Sequence, residues 1–199
     1  MVGVEALELA DWRRRVGGLY ATVRATPGAQ LAHARWRTGR DELFRAHPQS
    51  PLPAGDPLRA SGLPYWPYDP AFRFEVPVVA AVSPQTLRVD AGGDGLVQLR
   101  QLGWVDVPAP VSARLAVWWL DQYAGGIFLP VRDGTAGNGS YGGGRYLLDT
   151  AKGADLGGAL LLDFNFLYHP SCRYDPAWLC PLAPADNTIT APITAGEML

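Results

Sequence analysis

The sequence predicts an α+β fold in which two N-terminal helices pack on a mainly antiparallel β-barrel or β-sandwich of about seven strands. Its 199 residues include 23 glycines and 18 prolines, about a fifth of the chain against roughly 12% in average proteins, which excludes a coiled coil. The 7 tryptophans, 8 tyrosines and 6 phenylalanines exclude a disordered chain. The spacing of apolar residues changes from three or four to two near Phe72, which indicates helices followed by strands.

The predicted helical head is residues 1–47. Its first helix, 4–25, places apolar residues three or four positions apart, as one buried face requires, at Leu9, Trp12, Val16, Leu19, Tyr20 and Val23. Thr26 and Pro27 are typical of a helix start, with the threonine as the cap and the proline in the first turn. We therefore predict a second helix that begins at Pro27 and ends at about Ala46.

A proline-rich connector, 48–70, is expected to be ordered and to join the head to an antiparallel β body, 71–164. The alternation of apolar and polar residues and the turn-forming glycines predict seven short strands. They lie near 72–78, 86–90, 96–107, 113–121, 126–132, 144–149 and 159–164. Residues 165–199 are a loop-rich polar motif, and we expect the whole chain, 1–199, to be a single domain.

Charge and targeting features restrict the location and the partners of the protein. A formal net charge of −2 is not expected to produce a basic surface for a nucleic acid. The opening residues MVGVEALELADWRRR carry acids where a secretory signal carries basic residues, and no apolar stretch is long enough to span a bilayer. We therefore expect a cytoplasmic protein that binds neither nucleic acid nor membrane. In the cytoplasm, its two cysteines are not expected to form a structural disulfide.

A glycine motif, GNGSYG at 137–142, fits the G-x-G-x-x-G pattern of dinucleotide-binding proteins. In those proteins a helix follows the glycines, so that its N-terminal amides meet the pyrophosphate. Here Arg145 opens a predicted strand instead, which argues against a dinucleotide site. The sequence predicts no particular cofactor and no oligomeric state.

The C-terminal third places polar residues at the end of a buried strand. Asp163 and Asn165 follow apolar residues, and the glycine-rich segment 134–144 leads into Arg145. A buried polar side chain that lacks a partner costs several kcal/mol, so these residues are either paired or functional. In one interpretation, Arg145 and Asp163 form a partly buried ion pair between two strands. In the other, Arg145 binds a carboxylate or phosphate and Asp163 orients it.

These residues also carry a family resemblance. The run LLLDFNFLYHPSCRYDPAWLCPLAPADN, preceded by SYGGGRYLLD and followed by AGE, resembles the bacterial domain-of-unknown-function family 1684. Residues 36–52 and 63–72 fit the family too, so the resemblance covers nearly the whole chain. The family has no agreed activity, so the resemblance implies kinship rather than a function. The family motif D-F-N-x-A-Y-N-P-x-C has Leu167 and His169 here in place of the alanine and the second asparagine.

From these residues we predict a pocket at one end of the sheet that binds a small anionic or polar metabolite. The predicted ligand-binding residues are Tyr141, Arg145, Asp163, Asn165, Tyr168, Tyr174, Asn187 and, on the second helix, Arg40. Asparagines are also typical of loops and caps. The alternative is a non-catalytic interaction or scaffold protein, in which these side chains only satisfy one another.

Three residues are the candidates if the pocket also performs acid–base or hydrolytic chemistry. His169 and Glu197 are the acid–base candidates, and Cys172 is the candidate nucleophile because it lies three residues after His169. The alternatives are a polar loop role for His169 and a small buried apolar side chain for Cys172. Cys172, Cys180 and His169 have no evident fourth partner for a metal, so we predict no metal site.

Overall fold

Two long helices begin the fold. The computed structural model describes residues 2–90, 95–121, 125–148 and 159–199. The helices α1 (Val2–Ala25) and α2 (Ala29–Ala46) confirm the two predicted helices, and the short helix α3 (Leu58–Ser61) lies in the connector. The start of α2 was predicted two residues too early, because the cap is Gly28, whose φ of 85° favours glycine. Within the described residues, no helix is long and apolar enough to cross a bilayer.

In the described ranges eight β-strands follow, one more than the seven predicted. They are β1 (Arg73–Val76), β2 (Val79–Ala80), β3 (Thr86–Asp90), β4 (Leu96–Val107), β5 (Ala113–Leu120), β6 (Ile127–Val131), β7 (Arg145–Leu148) and β8 (Leu160–Asp163). The predicted strand near 72–78 is divided at Pro77, which has no N–H to donate to a neighbouring strand. The chain changes partner there, since β1 pairs with β8 and β2 pairs with β4.

The pairs between these strands are all antiparallel. Six strands form one sheet in the order β2-β4-β5-β6-β7, with β3 paired to another part of the long β4. The strands β1 and β8 form a separate two-stranded sheet. Two helices with mainly antiparallel strands confirm the predicted α+β class. The strands of the described ranges do not close into a barrel.

The strand β5 buries side chains on both of its faces. Leu115 and Val117 belong to one apolar core, which they share with β1, β6 and β8. Ala116 and Trp118 belong to a second core, together with Trp36 of α2. The helix α2 therefore packs on one face of the sheet, and α1 packs against α2.

The C-terminal segment returns to the connector and runs beside it. Trp66 N donates to Gly196 O at 3.0 Å, and Met198 N donates to Pro64 O at 3.0 Å. These two bonds flank Glu197, so that a residue close to the end of the chain is held in the middle of the fold.

Candidate functional site

Glu197 is positioned by the glycine that precedes it. Gly196 has a φ of 79°, and a Cβ there would lie only 2.6 Å from Leu167 Cβ. The backbone therefore approaches Leu167 more closely than any residue with a side chain permits. Glu197 N donates to Leu167 O at 2.8 Å, and the Glu197 side chain lies in the interior with 1% of the residue exposed.

The buried carboxylate of Glu197 has partners on both oxygens. Oε2 accepts from Arg40 Nη2 at 2.7 Å and from the backbone N–H of His169 at 2.9 Å. Oε1 accepts from the Tyr174 hydroxyl and lies 3.5 Å from His169 Nδ1. Burial raises the pKa of Glu197, but Arg40 and His169 outweigh burial and hold this pKa below its ordinary value. We call Arg40, Tyr65, His169, Tyr174 and Glu197 the Glu197 cluster.

Arg40 supplies the positive charge of the Glu197 cluster from α2. Its Nε donates to Tyr65 Oη at 3.0 Å. Its guanidinium carbon lies 4.6 Å from the ring centre of Phe44 and 4.9 Å from that of Tyr168. Burial lowers the pKa of Arg40, but Tyr65 and Glu197 raise it above its ordinary value. An ion pair, a hydrogen bond and two aromatic rings thus hold Arg40 in one position.

His169 is engaged at both ring nitrogens. The backbone N–H of Tyr141 donates to Nε2 at 3.1 Å, so the hydrogen of the neutral ring is assigned to Nδ1, which faces Glu197. A carboxylate behind an imidazole is also the arrangement that supports general-base catalysis. Here, however, the nitrogen that would take the proton already accepts a backbone hydrogen bond. His169 therefore links Tyr141 to Glu197.

Arg145 pairs with Asp133, so the predicted ion pair between Arg145 and Asp163 is wrong. Arg145 Nη2 lies 3.0 Å from Asp133 Oδ1, and neither side chain is exposed. The reason is the pairing of β6 with β7, which places Val131 opposite Arg145 and so brings Asp133 next to it. The remaining hydrogen bonds of the guanidinium go to backbone oxygens, those of Ile193 at 2.8 Å, Ala195 at 2.6 Å and Glu197 at 3.0 Å. Its central carbon also lies 5.1 Å from the ring centre of Trp66.

Asp163 faces β1 instead. Its partner across the β1–β8 pair is Arg73, whose Nε lies 3.7 Å from Asp163 Oδ2. The Tyr68 hydroxyl donates to the same oxygen at 3.2 Å, and the Asn165 side-chain amide donates to Oδ1 at 2.8 Å. Burial raises the pKa of Asp163, although Asn165, Tyr68 and Arg73 oppose this effect. Asp163 thus lies where it can orient Arg73.

The other predicted residues lie in different surroundings. Asn187 is fully buried, accepts from Trp118 Nε1 at 2.7 Å and donates to Ala116 O at 2.8 Å. Cys172 is half-buried, and its Sγ lies 3.9 Å from Tyr141 Oη. The structure thus distributes the predicted residues over several polar groups and does not bring all of them to one cavity.

Among the residues that the structure describes, two cavities adjoin these polar groups. The larger, which we call the helix–strand cleft, has a volume of about 260 Å³ and lies between the α1–α2 turn and the strands β7 and β8. Asp163 and Arg73 line it together with Arg24 of α1. The smaller cavity, of about 110 Å³, lies between α1 and α2 and is lined in part by Arg40, Tyr168 and His169.

Comparisons with known proteins identify the family. Residues 60–198 match a family described as a protein of unknown function, DUF1684. The chain belongs to DUF1684. The solution NMR structure of an uncharacterised protein from Haloarcula marismortui is similar, with 30% sequence identity and a TM-score of 0.59. The similarity covers 83% of this chain and 93% of that one. No match was found among curated proteins.

In this DUF1684 protein, the helical head supplies residues to the Glu197 cluster and to both cavities. The match begins at residue 60, so it includes His169 and Glu197, whereas Arg40 and the resembling segment 36–52 precede it. The cation that pairs with Glu197 therefore comes from outside the matched region. Residues of α1 and α2 line both cavities as well.

Sequence reasoning did not select Tyr65 or Arg73 as members of these polar groups. It placed Asp133 ahead of the glycine-rich segment that leads into Arg145, but it did not predict that the two residues pair. Asp133 follows β6 closely and Arg145 opens β7, so a predicted pairing of these two strands could have placed the two residues together. Arg73 lies opposite Asp163 only because β1 pairs with β8. That pairing joins distant parts of the chain, and no local pattern indicates it.

Proposed function

We propose that this DUF1684 protein binds a small anionic molecule with an apolar body in the helix–strand cleft. The observation that carries this proposal is an apolar wall that meets two arginines, Arg24 and Arg73, at one cavity. The volume of about 260 Å³ approaches the roughly 300–1,000 Å³ that is typical of small-molecule sites. The apolar wall consists of Val23, Ala29, Ala32, Leu147, Leu160, Leu161 and Phe166.

The charges at the helix–strand cleft favour an anion. Arg24 and Arg73 against the single carboxylate of Asp163 leave one net positive charge among the lining residues. Arg73 lies 3.7 Å from Asp163, and 42% of its side chain is exposed. Asp163 therefore orients the guanidinium without burying it. Carboxylate and phosphate oxygens match the planar arrangement of N–H donors on an arginine, which supports a ligand of this class.

The smaller cavity beside α1 is a weaker candidate for the same ligand. Its volume is about 110 Å³, and its arginine, Arg40, is already paired with Glu197 at 2.7 Å. The pair carries no excess charge to attract an anion. His169 Nε2 is engaged by the Tyr141 amide, so acid–base or hydrolytic chemistry by His169, Glu197 and Cys172 stays a prediction.

A non-catalytic scaffold role is the second candidate function. It is favoured by Arg145, which is fully buried and donates to an aspartate and three backbone oxygens of its own chain. In this role the C-terminal polar residues stabilise the fold and the cleft has no ligand. A sandwich-like packing of the strands and a cytoplasmic location also stay predictions.

Matched pairs of probe molecules test the binding proposal. We expect octanoate and benzoate to bind the full-length protein and raise its Tm, and the neutral octanamide and benzamide not to do so. Replacement of either arginine, Arg24→Gln or Arg73→Gln, is expected to weaken octanoate binding by roughly tenfold, since hydrogen bonds to charged groups contribute about 1.5–3 kcal/mol. Isothermal titration calorimetry measures the affinities.

Arg13→Gln is the matched control, because Arg13 is an exposed arginine of α1 that does not line the cleft. It should leave octanoate binding unchanged. Equal binding of the carboxylates and the amides, or equal binding by the Arg73→Gln variant and the wild type, would contradict the proposal. If none of the four probes binds, the scaffold role is favoured.

A further inference from the structure

Arg73 and Asp163 form an open ion pair in the helix–strand cleft. Both residues line the cleft, and Asp163 is buried whereas Arg73 is partly exposed. Arg73 Nε lies 3.7 Å from Asp163 Oδ2, which is longer than the roughly 2.7–2.9 Å of a hydrogen bond between two charged groups. The guanidinium and the carboxylate therefore attract each other without a direct hydrogen bond between these two atoms. A positive and a negative group thus lie next to each other on the cleft wall.

The two carboxylate oxygens of Asp163 differ in how fully they are used. Oδ1 accepts from the backbone N–H of Asn165 at 3.1 Å and from its side-chain amide at 2.8 Å. Oδ2 accepts from the Tyr68 hydroxyl at 3.2 Å. An ionised carboxylate has about four acceptor positions, two on each oxygen. Among the residues that the structure describes, these hydrogen bonds therefore leave one position on Oδ2 for a donor from a ligand.

The charge of Asp163 is also incompletely compensated within the chain. Burial raises the pKa of Asp163, and Asn165, Tyr68 and Arg73 offset this effect only in part. A positive group within about 4–6 Å stabilises an ionised carboxylate. An ammonium group of a ligand at Oδ2 would supply both the positive charge and a hydrogen-bond donor, because an ammonium nitrogen carries N–H donors and no acceptor.

A ligand with only a carboxylate is a less complete partner for this ion pair. Bound to Arg73, it would lie beside the Asp163 carboxylate, because both anions approach the same guanidinium, and like charges at this distance repel each other. An α-amino acid carries its carboxylate and its ammonium group on one carbon atom. Its carboxylate can therefore face Arg73 and Arg24 while its ammonium group faces Asp163, so that each charge meets its opposite.

The volume and the wall of the cleft limit the side chain of such an amino acid. The cleft has a volume of about 260 Å³, which corresponds to about nine water-sized groups at about 30 Å³ each. Leucine has the same number of non-hydrogen atoms. Apolar side chains, including Leu147, Leu160 and Phe166, line the cleft, and the burial of an apolar ligand against them is favourable. The cleft therefore fits an aliphatic side chain of about the size of that of leucine.

We propose that the helix–strand cleft selects an α-amino acid with an aliphatic side chain, in which Arg73 and Arg24 bind the carboxylate and Asp163 binds the ammonium group. The inference rests on the proposed function, because the same arginines bind the carboxylate of the ligand. It adds Asp163 as the residue that determines specificity. Binding of the amino acid makes and breaks no covalent bond.

Three probes test the proposal on the full-length wild-type protein at neutral pH. They are L-leucine, isocaproate, which is leucine without its ammonium group, and L-leucinamide, in which a neutral amide replaces the carboxylate. We expect isothermal titration calorimetry to show that leucine binds roughly tenfold more tightly than either analogue, because each analogue lacks a hydrogen bond between charged groups. If isocaproate binds as tightly as leucine or more tightly, the inference is wrong and the proposed carboxylate site remains. If neither leucine nor isocaproate binds, or if leucinamide binds as tightly as leucine, the proposed function is wrong as well.

The variant Asp163→Asn tests the role of the buried carboxylate. It keeps the size of the side chain but removes its charge, so leucine should bind roughly tenfold more weakly than to the wild type, and isocaproate at least as tightly. Asp106→Asn is the matched control, because the Asp106 side chain is 68% exposed and does not line the cleft. It should leave the binding of both probes unchanged. An unchanged affinity of Asp163→Asn for leucine, or an equal loss of affinity for leucine and isocaproate, would overturn the proposal. The comparison of probes on the wild type needs no variant to fold.

Discussion

The guanidinium of Arg145 lies 3.0 Å from the carboxylate of Asp133, and both side chains are completely buried. The two residues flank the segment 134–144, which contains six glycines. The ion pair therefore joins the two ends of this segment in the protein interior. Gly144 shows why glycine is needed there, since its φ is 91° and a Cβ would lie 2.7 Å from Val131 O.

Replacement of Arg145 should destabilise the fold strongly. Arg145→Ala would leave the Asp133 carboxylate buried without its cation, and breaking a buried pair in this way costs about 3–5 kcal/mol. We expect a loss of this size in the free energy of unfolding, measured by urea denaturation at neutral pH. A variant with nearly wild-type stability would contradict a structural role for the pair and favour a role for Arg145 in ligand binding.

The control for this prediction is another arginine on a strand. Arg114 and Asp106 lie on neighbouring strands, with Arg114 Nε 3.6 Å from Asp106 Oδ1. Their side chains are 54% and 68% exposed. Exposed pairs of this kind contribute about 0–1 kcal/mol. Arg114→Ala should therefore change the unfolding free energy by no more than about 1 kcal/mol.

The position of Glu197 should depend on Gly196. In Gly196→Ala the backbone is strained at a φ of 79°, and the new Cβ meets Leu167 Cβ at 2.6 Å. A left-handed conformation costs about 1–2 kcal/mol and overpacking adds about 1–3 kcal/mol. We expect a loss of about 2–5 kcal/mol in unfolding free energy, measured by urea denaturation.

A substitution at Gly137 distinguishes the cost of backbone strain from the cost of steric crowding. Its φ is 86°, but a Cβ there would meet no atom within 4 Å. Gly137→Ala should therefore show only the conformational cost, about 1–2 kcal/mol. If the two alanine variants lose equal stability, the close approach to Leu167 does not contribute.

Acid should destabilise the fold through His33 of α2. Burial lowers the pKa of His33 to about 4, below the ordinary value of 6.5. The unfolded chain therefore binds a proton that the folded chain excludes as the pH falls from about 6.5 to about 4. The unfolding free energy should therefore decrease as the pH is lowered from about 6.5 to about 4.

The variant His33→Gln, which does not titrate, tests this prediction. Urea denaturation at several pH values should give a smaller decrease of stability between about pH 6.5 and about pH 4 than in the wild type. Glu197 affects stability in a different pH range. Its pKa is lowered in the folded protein, so its contribution to the free energy of unfolding is lost only at pH values below the ordinary pKa range of a glutamate. An identical pH profile for His33→Gln and the wild type would show that His33 is not the group responsible.

Local patterns were sufficient to predict most of the elements. The three-to-four spacing in α1 and α2 and the alternation in the strands are set by residues close in sequence, so they could be predicted without tertiary contacts. Pro77 was the exception, since one predicted strand became β1 and β2 with different partners. The proline was visible in the sequence, but the change of partner was not.

The candidate residues show that the sequence does not predict which side chains pair with one another. Arg40 and Glu197 were both selected from the sequence, but their contact joins positions 157 apart. Arg145 and Asp163 were selected as well, and each has another partner. Polar composition indicated which residues need partners, because a buried polar group without one is costly. It did not indicate which partner each one has.

The sequence by itself determined the α+β class, the two helices, most of the strands and several of the polar residues that the fold buries. Those properties follow from residue type and spacing along one segment of chain. Only the tertiary structure decided that Arg145 meets Asp133 and that Arg73 stands opposite Asp163. Both contacts depend on strand register. Side-chain interactions act only over short distances, so the path of the backbone decides which residues meet when they are distant in the sequence.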